Sequence, residues 1–345
     1  MEKPPLKSTS APSRITLRHL AKAAGVSAMT ASRAFRSDAS IRPALRERIT
    51  RLAGELGYEP SPQISSVMRA FVRRSHPEYR ETLAFVGSRE PAPSSWDFSL
   101  FESARRRAES LGYGMEPFWM RSRRLSFSRL GRLLRDRSIR GVVLLPFLEQ
   151  AHMHVRLDWP RIASATIGSS LWKPRIHRVQ HHHYMGMILA LRSIRRLSRG
   201  KVGLVLSNLL HSRTQGAYVS PFLTNQSGSS RDLAGCVHRY AKWEATRFRI
   251  WLERTKPEVI LCAEPADVAL VREALPPRWR KAGIACLDVP EGVPDLAGVE
   301  QHSGVIAEHA VDLVLGELRL SQFGLPVHPK TMMVEGSWRD GTSLG

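Results

Sequence analysis

One alternation narrows the fold more than any other feature of the chain. From Thr82 onward, short runs of consecutive apolar residues are separated by longer stretches whose apolar residues recur at helical spacing. The runs fall at 82–87, 141–145, 163–167, 201–206, 258–262 and 283–287, and the helical periods at about 97–112, 126–137, 184–198, 243–254, 265–274 and 303–320. A strand that is apolar on both faces must be covered on both, and the intervening helices supply that cover. The pattern therefore predicts parallel sheets in a large α/β body. With 345 residues and 42% apolar composition, the chain can bury a sizeable core but exceeds the roughly 250–300 residues at which one core stops growing. Two or three domains are expected.

Ahead of Thr82 the character changes. Residues 1–13 are rich in Pro, Ser and Lys without periodicity and read as a disordered basic arm. Residues 14–74 carry twelve Lys/Arg against four Asp/Glu, with helical periods and no strand pattern. Thr16 can cap a helix from Leu17, with Leu17, Leu20, Ala21 and Ala24 as its apolar stripe. Gly25 tolerates the left-handed turn that ends it. Ser27 can cap a second helix from Ala28, with Ala31, Ala34 and Phe35 inward and Ala28, Met29, Ser32, Arg33 and Arg36 outward or toward its start. A third helix begins near Pro43 and ends at Gly57, burying Leu45, Ile49, Leu52, Ala53 and Leu56. Helix, tight turn, helix and a supporting third helix form a helix-turn-helix unit, whose second helix fits a DNA major groove. A generic three-helix bundle has the same periodicity.

Composition supports a polyanionic partner. Lys and Arg outnumber Asp and Glu by 52 to 31, a net charge of +21, which points to nucleic acid or an anionic membrane surface. A general taste for arginine contributes too, because residues 101–140 of the body carry eleven Arg against four acids. Residues 1–15 lack an apolar signal region and no run reaches about 18 apolar residues, so neither standard secretion nor a membrane span is expected. Three cysteines (Cys236, Cys262, Cys286) without metal-type spacing fit a reducing cytoplasm rather than a disulfide framework.

The stretch ITLRHLAKAAGVSAMTASRAFRSDASIRPALRERITRLAGELGYEP at residues 15–60 resembles the DNA-binding head of the lactose/galactose repressor family of bacterial transcription regulators. Its AxxAGVSxxTxSRxF run and LGYxP ending align without a gap. The resemblance implies base contacts from Ala28, Met29 and Arg33, with Arg36 on the same outward side. It places phosphate-holding hydroxyls at Thr16, Ser27, Thr30 and Ser32. Arg33 suits a bidentate contact with guanine, and the two apolar readers suit thymine methyls. A phosphate-only contact is the alternative for Arg33. Residues 61–76 then correspond to a hinge helix and linker that enters the minor groove. Here Ser61 stands for the family's Asn, Ile64 for its Ala and Val67 for its wedge Leu, with Met68 adjacent; either Val67 or Met68 inserts, or both pack on the partner hinge.

From residue 80 to 345 the order of elements is similar to the family's two-lobed, periplasmic-binding-protein-like sensor and dimerisation domain. Lobe 1 spans about 80–180 and 303–335, and lobe 2 about 181–300. The resemblance implies a sugar-like effector between the lobes. Its contacts are Arg213, Asp288, and Trp96, Asp97 and Phe98 in the loop after the first strand. A lobe-interface salt bridge for Arg213 and a strand-end cap for Asp288 are the alternatives. Glu264-Pro265 replaces the family's Asn-Asp pair. The expected partners are a double-stranded, pseudo-palindromic DNA operator, a small effector and a second copy of the chain; no cofactor, metal or membrane is expected. His181-His182-His183 is the one tempting metal cluster, but consecutive histidines on a strand alternate faces. No G-x-S-x-G, Walker A, G-x-G-x-x-G or H-E-x-x-H motif speaks for catalysis. The chain is thus expected to be a sequence-specific transcriptional regulator, most simply a repressor. A solute-binding protein with an incidental basic head, an enzyme on a similar body, and a regulator with a silent sensor are the competing readings.

Overall fold

A computed structural model of the chain describes residues 16–35, 41–56, 58, 81–93, 95–121, 124–147, 153–197, 200–226, 228, 230–290 and 292–345. Contacts divide it into two units, Met1–Tyr79 and Arg80–Gly345.

In the first unit, α1 (Leu17–Ala23), α2 (Ala28–Phe35) and α3 (Pro43–Leu56) enclose a small core of Leu20, Ala24, Ala34, Ile41, Ile49 and Ala53. Both helix starts use the hydroxyls marked in the sequence. Thr16 Oγ1 accepts from the His19 amide while His19 Nδ1 accepts from the Thr16 amide, a reciprocal box that satisfies two otherwise orphaned donors. Ser27 Oγ accepts from the Thr30 amide at 3.0 Å. Gly25 turns the chain at φ +66°, a left-handed conformation that costs glycine nothing. The Arg48 guanidinium of α3 donates to the Ala24 carbonyl, tying the third helix to the end of the first.

The second unit holds two six-stranded sheets. The first runs β13-β7-β5-β3-β1-β2 and is wholly parallel. Its strands are β1 (Thr82–Gly87), β2 (Gly114–Trp119), β3 (Gly141–Leu144), β5 (Ala163–Ile167), β7 (His177–His181) and β13 (Thr331–Val334). The second runs β14-β12-β11-β10-β8-β9: β8 (Val202–Ser207), β9 (Val237–Tyr240), β10 (Val259–Cys262), β11 (Gly283–Cys286), β12 (Ala297–Glu300) and, antiparallel, β14 (Ser337–Arg339). A short pair, β4 (Met153–His154) and β6 (Leu171–Lys173), flanks the first sheet's connections. Each sheet separates two apolar layers. Leu83, Phe85 and Val143 face one side of the first while Ala84, Val86 and Val142 face the other, as the pleat requires. Leu204 and Leu261 oppose Val205 and Ile260 in the second.

The lobes exchange chain three times: from β7 into the helix His183–Arg196, from β12 into the helix Ser303–Leu320, and from β13 into β14. The long helix Ser303–Leu320 packs on the first sheet, and the closing strand β14 joins the second. The crossings lie against one another. The His182 amide donates to the Val334 carbonyl at 2.8 Å, and Ser337 Oγ pairs with His302 Nε2 at 3.0 Å. At Gly336 a Cβ would stand 2.6 Å from the Glu300 carbonyl oxygen and 3.0 Å from the His181 ring. Since backbone cannot yield there, Gly336→Ala is expected to cost the body about 1–3 kcal/mol, read as a lower urea midpoint in fluorescence-monitored unfolding. An unchanged midpoint would show the crossings to be loosely packed.

Candidate functional site

Two places concentrate chemistry. The first is the leading edge of α2. Behind it Ala31 is fully buried, while Met29 is 53% exposed and Ser27 is exposed beside it. Ser27 Oγ and Thr30 Oγ1 lie 2.9 Å apart, so one hydroxyl proton is spent between them and the other remains to donate outward. Thr16 and Ser27 thus serve first as caps, accepting from the backbone. Ala28 and Thr30 are half-buried. Ser32 and Arg33 fall on the same helix. Arg36, Ser61, Ile64, Val67 and Met68 lie outside the described residues.

The second place lies between the lobes. Parallel strands end on the same edge, and in both sheets those edges face a cleft enclosing about 800 Å³. Residues just beyond strand ends line it: Pro146 after β3, Gly168–Ser170 after β5, Glu264 after β10, Asp288 after β11 and Gln301–Ser303 after β12. Ligands of such sheets bind where the strand order reverses, outside the carboxyl ends. Of the residues marked in the sequence, Trp96, Phe98, Arg213 and Asp288 line this cleft, whereas Asp97 does not.

Trp96, Asp97 and Phe98 were expected in a loop and instead form the first turn of the helix Trp96–Ser110. Ser95 starts that helix early, its hydroxyl accepting from the Phe98 amide. The Trp96 indole donates to Ser303 Oγ at 2.9 Å, which fixes its ring at the second crossing. Arg213 closes a short helix, Asn208–Arg213, that Ser207 caps directly after β8.

The histidine triplet is not a strand segment. His181 ends β7, His182 caps the next helix through its Nδ1, and His183 opens that helix. Among the described residues no group of three or more His, Cys, Asp or Glu is placed to hold a metal ion. His183 belongs to a chain of hydrogen bonds that sequence reading missed. Gln301 Nε2 donates to the Leu287 carbonyl and to the Tyr218 hydroxyl, and that hydroxyl lies 3.0 Å from His183 Nδ1. Since Tyr218 accepts from Gln301, its own proton goes to His183, whose proton then sits on Nε2. Burial pushes His183 down to about 3, so its ring is neutral. Burial likewise holds His181 down to about 4.

Two acids of the cleft, Glu264 and Asp288, are shifted the other way. Burial raises Glu264, opposed by the charge of Arg213. Burial, then the charge of Glu264, pushes Asp288 up to about 6. A carboxyl raised on folding favours the folded state below its unfolded pKa and loses that contribution as pH climbs through the folded value. Asp288→Asn is therefore expected to raise Tm at pH 7.5, by the equivalent of about 1–3 kcal/mol, and the gain should vanish by pH 4. Thermal melts at the two pH values measure it; a gain independent of pH would contradict the shift.

The cleft thus offers carboxylate acceptors, two arginines and a neutral histidine as donors, and aromatic faces at Trp96 and Phe98. The buried cysteines offer no nucleophile, since burial raises the thiols of Cys236, Cys262 and Cys286.

A family model described as "Bacterial regulatory proteins, lacI family" matches residues 16–61. No curated protein sequence matches the chain. Among solved structures, the transcriptional regulator CelR in complex with cellobiose is similar at 17% identity and a TM-score of 0.55, covering 96% of this chain and 100% of that one. The lac repressor dimer bound to operator and the anti-inducer ONPF is similar at 15% identity and 0.55, covering 96% and 99%. A regulatory protein of the LacI family from Chloroflexus aggregans gives 15% and 0.55, covering 74% and 96%. At such identities the likeness is one of fold.

Proposed function

Proceeding from a LacI-family helix-turn-helix domain at residues 16–61, we propose that the chain is a transcriptional regulator that binds a pseudo-palindromic operator as a homodimer and responds to a small molecule held between its lobes. The observation that carries this reading is α2: an exposed leading edge of Ser27 and Met29, with capping hydroxyls at its start, standing on a buried base at Ala31 and Ala34. That is the form of a helix read against nucleotide edges. Thr16, Ser27, Thr30 and Ser32 hold phosphates and set the register; Ala28, Met29 and Arg33 read bases, with Arg36 beside them. Residues 61–76 form the hinge, where Ser61 and Ile64 face the minor groove and Val67 or Met68 is the wedge. Repression is the simplest consequence of occupying an operator.

In the body, Trp96 or Phe98 stacks on the effector, while Arg213 and Asp288 fix its polar groups; Asp97 acts from the adjoining helix start. The residues fit a sugar-like molecule, which is also what the CelR structure names as its ligand. Effector binding changes the angle between lobes whose three crossings are packed together, and through the hinge it changes the fit of two heads to two half-sites. Such coupling is reciprocal between effector and DNA.

Selection from a random duplex library with the full-length protein is expected to enrich a two-fold symmetric site. Affinity for it should fall steeply with salt, as several phosphate contacts require. Arg33→Ala should relax preference at one base pair of each half-site by about 1–3 kcal/mol. Enrichment without symmetry, or full preference in the variant, would overturn the reading. For the body, thermal-shift screening with sugars and nucleobases should find a stabilising ligand whose effect Arg213→Ala removes. If no ligand stabilises the protein while operator binding is intact, the sensor is silent.

A further inference from the structure

Charge is distributed unequally over the two faces of the first sheet. One face is covered by the helices Trp96–Ser110 and Ser303–Leu320, the other by the helix Phe127–Asp136 with the short pair β4 and β6. Residues 96–112 and 303–322, which make the first layer, carry four Lys/Arg against six acids. Residues 121–140 and 153–176, which include the second layer, carry twelve against two. A general taste for arginine does not produce that contrast, since both layers belong to one lobe. Pairing sharpens it. On the first layer Arg105 is held by Glu102 and Glu109, and Arg107 by Asp312. On the second, Arg135 meets Asp158, Arg137 meets Glu116 and Arg140 meets Glu81. Arg124, Arg129, Arg132, Arg156, Lys173 and Arg175 are exposed and form no ion pair among the described residues, and the one acid there in the same position is Asp136.

The helix Phe127–Asp136 is arranged against its own stability. It buries Leu130, Gly131 and Leu134, and leaves Arg129 and Arg132 one turn apart on the side toward solvent. Like charges at that spacing repel. Arg129 is also the third residue after the Ser126 cap, where the positive end of the helix dipole favours an acid. What would repay this arrangement is an anionic partner. Trp172 is the one large apolar side chain exposed on the layer among the described residues, whereas protein interfaces centre on an apolar cluster depleted of charge. A helix lying on a membrane presents its apolar face, and here that face is buried on the sheet.

We infer that this outer layer of the first lobe binds the phosphate backbone of duplex DNA without reading its sequence, as a second nucleic-acid surface besides the helix-turn-helix head. Guanidiniums match phosphate oxygens two bonds at a time, and backbone contacts of this kind carry affinity and no base information. The inference goes beyond operator recognition and does not depend on it: a protein whose head selects no site would still hold DNA here.

The test uses the full-length protein and a fluorescein-labelled duplex of scrambled sequence, about three helical turns long, titrated by anisotropy at several salt concentrations. Three triple variants share an unchanged head. One carries Arg124→Gln, Arg129→Gln and Arg132→Gln; a second carries Arg156→Gln, Lys173→Gln and Arg175→Gln. The third, Arg231→Gln with Arg247→Gln and Arg280→Gln, removes the same charge from exposed positions of the second lobe. The first two are expected to bind the duplex about tenfold more weakly at low salt, with a salt slope smaller by about 2–3, and the third to stay within about twofold of the parent. Urea midpoints equal to the parent's show that each variant is folded. Equal losses in all three would assign the effect to net charge rather than to this layer and overturn the inference, as would no loss in the first two. Vesicles of phosphatidylserine and phosphatidylcholine serve as the second anionic probe. Binding to them that needs the same arginines, without such a need on DNA, would make the layer a membrane surface and overturn it as well.

Discussion

Fold and site depend on one constraint, the meeting of two parallel sheets at their carboxyl edges under three chain crossings that pass each other at Gly336. A parallel strand sends its chain out at one edge only, so the segments that follow the parallel strands of both sheets emerge toward the cleft, antiparallel β14 excepted. Side chains at those ends face each other across a gap instead of being buried in a layer. The crossings then set how wide that gap is. With the Glu300 carbonyl and the His181 ring within 3.0 Å of a Gly336 Cβ position, the connectors have little room to slide independently. A body held in this way changes shape chiefly by turning one lobe on the other, which is a motion that a ligand touching both can bias.

The cleft is more buried than an open surface, and its titrations follow from that. His181 and His183 are held neutral and Asp288 is held toward its protonated form by the same loss of water. The chain Gln301–Tyr218–His183 links the second crossing, the second lobe and the first crossing in one run of hydrogen bonds. It orients groups at the crossings without adding charge, leaving Arg213, Glu264 and Asp288 as charged groups of the second-lobe wall. The head works by different physics. Its small core buries Ala31 and Ala34 of α2 and leaves Ser27 and Met29 exposed, and among its described residues charge is carried by exposed side chains such as Lys22, Arg42 and Arg51.

How much was legible in the sequence varied with the range of the interaction. Thr16 and Ser27 as caps, Gly25 as a left-handed turn and the start of α3 at Pro43 all depend on neighbours three or four residues away, and the structure has each of them. The six apolar runs of the body are strands to within a residue or so, because continuous apolar residues bounded by turns leave few alternatives. Strands with mixed composition were not evident: His177–His181 alternates buried and half-buried residues, and Val237–Tyr240 is a half-buried edge. The helix at Trp96 was legible in principle, since Ser95 stands where a cap belongs. The helical period from about residue 97 already takes in Asp97 and Phe98, and only the family resemblance puts these residues in a loop.

The sequence by itself determined the class of each part: a helical DNA-binding head marked by local capping and a dense motif, and an α/β body marked by burial on both strand faces. Both are encoded over short spans, where the geometry of a turn or a pleat leaves little choice. Tertiary structure alone decided which side chains share the cleft. Arg213, Glu264 and Asp288 come from strand ends far apart in the chain and meet only through the pairing of β8, β10 and β11. Tyr218 and Gln301, 83 residues apart, meet only because the second crossing returns beside the first. Register and crossing depend on the whole set of packed layers, so no local pattern could have announced them.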